Sequence, residues 1–168
     1  SKLFSDLNLQ GFEKLQSLNI AQNSLSQISA GAISHMPSLE ALNLSFNSIS
    51  HNGYVSQNLF AHSGKLRILD ISNTKISSIN DDAFLHMTGL QKLNISRNAI
   101  TDLSLNLHLT NLSKLNLEGN MIHTLNHEMM KQLDLLSQNQ PISIDLSNNP
   151  LSCDCSNIDF IKWMQTHN

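Results

Sequence analysis

Four histidines, His35, His62, His86 and His108, stand at nearly even intervals along 168 residues. Imidazole titrates near neutral pH, so aligned histidines could form a proton-sensitive edge. A second chemical group is Cys153 and Cys155. With one residue between them, they are too close for an ordinary disulfide with each other. As metal ligands they make only half a site. Three Asn-X-Ser sequons are spelled at Asn43, Asn94 and Asn111. They are acceptors for N-linked sugar if the chain enters a secretory compartment. Asp81 and Asp82 precede Phe84 and read as a solvated turn. There is no GxSxG, no glycine-rich phosphate loop, no HExxH and no clustered carboxylate pair. Neither an enzyme nor a cofactor or metal site is expected.

The elements that hold these residues are copies of one phrase. Leu112 to Ile122 reads LxxLxLxxNxI. The same phrase, with small variations, starts at Leu15, Leu39, Leu66 and Leu90, and a degraded copy starts at Pro141. The first residues of successive copies are 24, 27, 24, 22 and 29 residues apart. Self-similarity at this period and with this spelling resembles the leucine-rich repeat.

Each LxLx segment alternates inward and outward, which predicts a short strand with one buried face. The following Asn predicts a turn, with its amide bonding backbone groups that the turn leaves unpaired. Stacking would align Asn23, Asn47, Thr74, Asn98, Asn120 and Asn149 as a ladder. Thr74 is its weak rung, because a hydroxyl offers fewer bonds than an amide. No repeat can bury its own apolar face, so stability must come from neighbours. The expected fold is an α/β-type leucine-rich-repeat solenoid, a horseshoe. Short parallel strands line its concave face, and the convex side is mostly irregular or short helical. Residues 1–14 read as the tail of a preceding repeat, with Leu9 and Phe12 inward. The repeats run 15–38, 39–65, 66–89, 90–111, 112–140 and 141–151, and residues 152–168 begin a cap. Met129, Met130, Leu133 and Leu136 predict a short convex helix over 127–136.

Departures from the phrase carry what information there is. Repeat two has three extra residues within His51-Asn52-Gly53-Tyr54, which read either as a tolerated loop or as a contact loop. The four histidines each precede an inward residue of the return leg. Either a polar residue is simply required there, or the stacked imidazolium groups repel on acidification and reshape that edge.

Asn149-Pro150-Leu151-Ser152-Cys153-Asp154-Cys155 followed by Phe160 and Trp163 resembles the C-terminal cysteine cap of extracellular leucine-rich-repeat proteins. With Ile158 to Met164 and the repeat spelling NxIxxIxxxxFxxMxxL, it is most similar to Toll-like receptors. The resemblance covers essentially the whole chain. It implies that Cys153 and Cys155 pair with later cysteines, outside this chain. It implies an extracellular or endosomal-lumenal part of a single-pass membrane receptor, with the membrane anchor also outside this chain. On that reading Asn43 and Asn94 would carry glycans on the concave face. A protein partner, in a homodimer or heterodimer, would then use a flank near the C-terminal end. Candidate contacts are His51, Asn52, Tyr54, Asp102, His123 and His127. The function implied is a membrane-proximal recognition module in ligand-induced receptor dimerisation. An adhesion or matrix protein and a variable lymphocyte receptor are the alternatives.

Composition agrees with a recognition scaffold. Aromatics make up 5% of residues and net charge is -3, which suits a stacked aliphatic core. With no run of Lys or Arg, charge-driven binding to nucleic acid is not indicated. No apolar run reaches the roughly 18 residues of a membrane span. Ser1 falls inside a repeat and no signal peptide precedes it, so the chain reads as a piece of a longer protein. Its first core edge should favour self-association unless covered.

Overall fold

The computed structural model describes residues 2–3, 11–28, 33–49, 54–55, 59–80, 82–103 and 109–167. In chain order these form strands β1 (Lys2–Leu3), β2 (Ser17–Asn19), β3 (Leu25–Gln27), β4 (Ala41–Asn43), β5 (Tyr54–Val55), β6 (Ile68–Asp70), β7 (Ser78–Ile79), β8 (Lys92–Asn94) and β9 (Lys114–Asn116). Helix α1 (His127–Asn139), strand β10 (Ser143–Asp145) and helix α2 (Ile158–Thr166) complete the chain.

The six strands that carry the repeat phrase form one parallel sheet, ordered β2-β4-β6-β8-β9-β10. Register is strict. Leu18, Leu42, Leu69, Leu93, Leu115 and Ile144 are cross-strand partners, as are the residues on either side of them. Each strand is three residues long, so its single inward side chain must land on the inward side chain of its neighbour. A slip of one residue would expose the whole column. Together the strands define a leucine-rich-repeat solenoid, with the sheet as the concave side of the horseshoe.

Burial follows the phrase. Leu66, Leu69, Ile71, Ile76 and Leu90 are fully buried, as are Leu93, Ile95, Ile100, Leu112, Leu115, Leu117 and Ile122. Phe60 and Phe84 stack with ring centroids 6.0 Å apart on the return legs. At the two ends of the array the same positions are only partly covered, as at Leu15, Leu18, Ile20, Ile144 and Leu146. A coil at the end has a neighbour on one side only. Phe12, expected inward, is 43% exposed. It closes a turn, accepting the Leu15 N–H at 3.0 Å, and no described coil covers it. Leu9 lies outside the described residues.

The side away from the main sheet is more ordered than the phrase implied. Two further parallel strand pairs, β1 with β3 and β5 with β7, run along the legs that leave the sheet. The pattern there is too short to read, since only two or three residues pair. Helix α1 continues to Asn139, past the expected end at 136. Asn126 starts it by accepting the Met129 N–H at 2.8 Å, a side-chain cap that satisfies an otherwise orphan donor. Its buried face is Met129, Met130, Leu133 and Leu136. The inward set also includes Leu59 and Ala83, which the repeat spelling does not single out.

Candidate interaction surface

The ladder that follows the strands works through both ends of each amide. Asn98 donates to the carbonyls of Ile95 in its own repeat and Ile71 in the repeat before, both at 3.0 Å. Its Oδ1 accepts the N–H groups of Thr74 at 2.9 Å and Ile76 at 3.1 Å. Asn47 repeats this with Leu44, Ile20 and the Leu25 N–H. Asn120 does so with Leu117, Ile95 and the Ile100 N–H, and Asn149 with Leu146, Leu117 and the Ile122 N–H. Asn23 donates within its own repeat, to Ile20 and Ala21. Thr74 is fully buried, and its hydroxyl donates to the Ile71 carbonyl at 2.7 Å. One hydroxyl proton serves one acceptor, whereas an amide serves two.

A second ladder lies on the exposed face of the sheet. Asn19, Asn43, Asp70, Asn94, Asn116 and Asp145 are cross-strand partners. Each accepts the backbone N–H two residues further on, at 2.9 to 3.1 Å. These side chains therefore terminate their strands as well as facing solvent. The Asn94 amide also donates to Asp70 Oδ2 at 3.1 Å. The sequence shows Asn or Asp at this place in every repeat, a signal that could have revealed the turn. Bonds from the Ser147 hydroxyl and N–H hold the Asp145 carboxyl below its ordinary range.

Just beyond that ladder the backbone turns left-handed in every repeat. Gln22, Phe46, Asn73, Arg97, Gly119 and Asn148 all have φ between 51° and 66°. Only one of the six is glycine. Asn73 and Asn148 tolerate this conformation, and at Gln22, Phe46 and Arg97 the fold imposes it on residues that do not favour it.

Charge on the surface is mixed. Arg67 pairs with Glu40 at 3.4 Å and Arg97 with Glu118 at 3.7 Å, each across neighbouring repeats. Lys92 and Lys114 are adjacent, exposed partners on the sheet. His35, His62 and His86 are all exposed, while His108 lies outside the described residues. So do His51 and Asn52 of the insertion; Tyr54 opens β5. Asp102, His123 and His127 are exposed, with His127 at the first turn of α1. Met121 beside them is 50% exposed. Asn111 is exposed and donates to the Thr88 carbonyl at 2.7 Å.

After the last strand, Cys153 and Cys155 are exposed thiols without a disulfide among the described residues. Asp154 between them accepts from the Ser156 hydroxyl and N–H, which lowers its pKa, and it opens the one-turn helix leading to α2. Phe160 is buried. Trp163 stacks on Phe160 and His167 and bonds across to α1. No group of three metal-ligating side chains is gathered among the described residues.

The family model described as leucine rich repeat matches residues 4–49 and 64–122. The chain belongs to the leucine-rich repeat family. Within it, the chain is similar to ectodomains of the Toll-like receptor type. It is 32% identical to human CD180 antigen over 92% of its own length and 23% of that protein. It is 28% identical to mouse Toll-like receptor 6 over 95% of its length and 22% of that protein. Among solved structures, the mouse RP105/MD-1 complex matches with TM-score 0.82 and 30% identity, over 94% of this chain and 26% of the other. The Drosophila Toll–Spatzle complex matches with TM-score 0.64 and 27% identity, over 70% and 16%. Human trophoblast glycoprotein shares the fold, with TM-score 0.66 and 24% identity, over 92% of this chain and 67% of the other. The chain thus spans about a quarter of the curated receptors it resembles. Among the described residues no helix is long and apolar enough to cross a membrane.

Proposed function

We propose that the chain is a non-enzymatic recognition segment, the membrane-proximal part of a Toll-like receptor ectodomain, which pairs with a protein through a flank near its C-terminal end. The observation that carries this is the contrast between two surfaces. On the sheet, the aligned Asn and Asp side chains are already engaged as strand-terminating acceptors. Near the C-terminal end, Met121, His123 and His127 stand exposed together in sequence, and Asp102 in the repeat before is exposed too. Leu135 on α1 and Ile158 on α2 are 51% and 47% exposed. Exposed apolar side chains among polar ones suit a protein contact. Solved neighbours in complex with MD-1 and Spatzle support protein partnering for this fold.

On this reading the chain lies outside the cell or in the endosomal lumen, and residues 152–168 begin a cap whose cysteines pair beyond it. Glycans on Asn43 and Asn94 would further occupy the sheet. The edge expected of His35, His62, His86 and His108 belongs to the same reading, and the first three of these side chains are exposed. The test is sedimentation velocity of the secreted ectodomain, with and without Met121→Asp, His123→Asp and His127→Asp together. Loss of association in this variant, with unchanged secretion, is the expected result. Unchanged association would exclude this flank.

A further inference from the structure

On the flank where the chain enters the sheet, a groove of about 260 Å³ runs across repeats two to four. It is lined by Glu40, Gly64, Lys65, Arg67, Gly89, Gln91 and Asn111. Two glycines keep it open. A Cβ at Gly64 would meet only the His86 carbonyl at 3.6 Å, an ordinary contact, so the space there is empty because no side chain is present. At Gly89 a Cβ would come within 3.1 Å of the Gly64 carbonyl, so the two turns pack backbone on backbone. The walls offer a carboxylate, two cations and two amides, hence donors and acceptors in one channel. That inventory suits a neutral polyhydroxylated ligand better than an anion, because Glu40 already faces Arg67 at 3.4 Å.

Asn111 is on this groove and is also the first residue of a sequon, Asn111-Leu112-Ser113. Its Nδ2 donates one N–H to the Thr88 carbonyl. Leu112 is fully buried and the Ser113 hydroxyl bonds the Gln91 carbonyl at 3.1 Å. The two residues that follow Asn111 are thereby pinned, and the Thr88 bond orients its amide.

We propose that Asn111 carries an N-linked glycan whose first sugars lie in this groove, against Lys65, Arg67 and Gln91. The idea rests on the secreted-receptor reading. In the transfer, one Nδ2–H is replaced by a bond to the anomeric carbon of an N-acetylhexosamine. The donor is a lipid-pyrophosphate-linked oligosaccharide, and the lipid pyrophosphate leaves as the amide proton is lost. The remaining Nδ2–H can keep its bond to Thr88. A sugar held this way fills the side-chain-free space over Gly64 and sheathes the entering flank, leaving the opposite one for protein.

The test uses protein secreted from mammalian cells, with glycopeptide mass spectrometry at each sequon and amidase release of glycan from native and denatured protein. The expected result is glycan on Asn111 that is released at least tenfold more slowly from the native protein than from the denatured. Gly64→Leu fills the groove without backbone strain and Arg67→Ala removes a wall. Both should leave Asn111 modified but bring native release to within about twofold of the denatured rate. Sugar on Asn43 or Asn94 with none on Asn111 overturns the inference alone, as does a native rate equal to the denatured one. No sugar at any of the three overturns the secreted-receptor reading, and the inference with it.

Discussion

Asp134 on α1 accepts the indole N–H of Trp163 on α2 at 2.6 Å, tying the last long helix of the repeats to the helix that follows the final strand. His167 reaches the same Asp134 oxygen with Nε2 at 3.1 Å while its ring stacks on Trp163 at 4.7 Å. Its Nδ1 faces the Trp163 carbonyl at 2.8 Å. One carboxylate thus gathers an indole and an imidazole over a cleft lined by Leu133, Ile142, Ile144, Leu146 and Met164. Trp163→Phe keeps the apolar body and deletes the donor. It should cost about 1 kcal/mol and speed amide hydrogen exchange in α2 more than in the strands. Uniform exchange in both would show that the bond does not hold α2.

Ser63 is buried and its hydroxyl has no partner among the described residues. It stands where other repeats place Met36, Met87 and Leu109, three residues before the first leucine of the next repeat. Ser63→Ala removes an unpaired polar atom from the core. A gain of roughly 1 kcal/mol is expected, seen as a higher midpoint in urea at unchanged slope. A lower midpoint would mean that the hydroxyl is satisfied in solution.

Asn98 bonds two repeats through both ends of its amide. Asn98→Asp retains the acceptor and loses the donors facing two carbonyls. The expected loss is on the order of 2–4 kcal/mol. Thr74→Asn, nearly equal in volume, should raise stability by about 0.5–1 kcal/mol, because a second N–H becomes available. Thermal unfolding of the two variants separates the cases by sign.

The left-handed turn predicts opposite effects at two equivalent places. Phe46→Asn puts a tolerant residue at φ 55° and should stabilise by a few tenths of a kcal/mol up to about 1. Gly119→Val puts an intolerant one at φ 66° and should cost about 1–2 kcal/mol. Equal effects of the two would show that side-chain packing outweighs backbone strain there.

Acid should weaken the last strand through Asp145. Its folded pKa is depressed by the Ser147 hydroxyl and N–H, with Lys114 adding a smaller charge effect. A depressed carboxylate stabilises above its unfolded pKa near 3.9 and loses that contribution as pH falls through the folded value. The loss therefore belongs below about pH 4, not in the endosomal range. Asp145→Asn should flatten the stability profile in that window and leave it unchanged between pH 5 and 7.5. A change in the higher range would point to the imidazoles instead.

The sheet, its order and the core column were legible because the repeat phrase is dense. An inward leucine fixes the residue beside it, and six copies leave one register. The amide ladder was legible for the same reason. What could not be read was how side chains from different repeats share partners. In the sequence the concave face reads as sugar-bearing at Asn43 and Asn94, and the strand-ending bonds of the Asn and Asp row became visible only with backbone N–H positions. Asp134 and Trp163 are 29 residues apart, and no periodicity links them. The same holds for the groove, which Asn111, Arg67 and Glu40 line together only because the coils stack.

From the sequence alone came the identity of the fold, the alignment of its repeats and the three sequons. Those depend on local spacing, and local spacing is what a repeated strand and turn write into a chain. Tertiary structure alone decided which face is engaged, where a hydroxyl is buried without a partner, and which sequon opens onto a channel. The channel depends on atoms from coils more than 20 residues apart, brought together by burial of the aliphatic column and not by any pattern in the residues themselves.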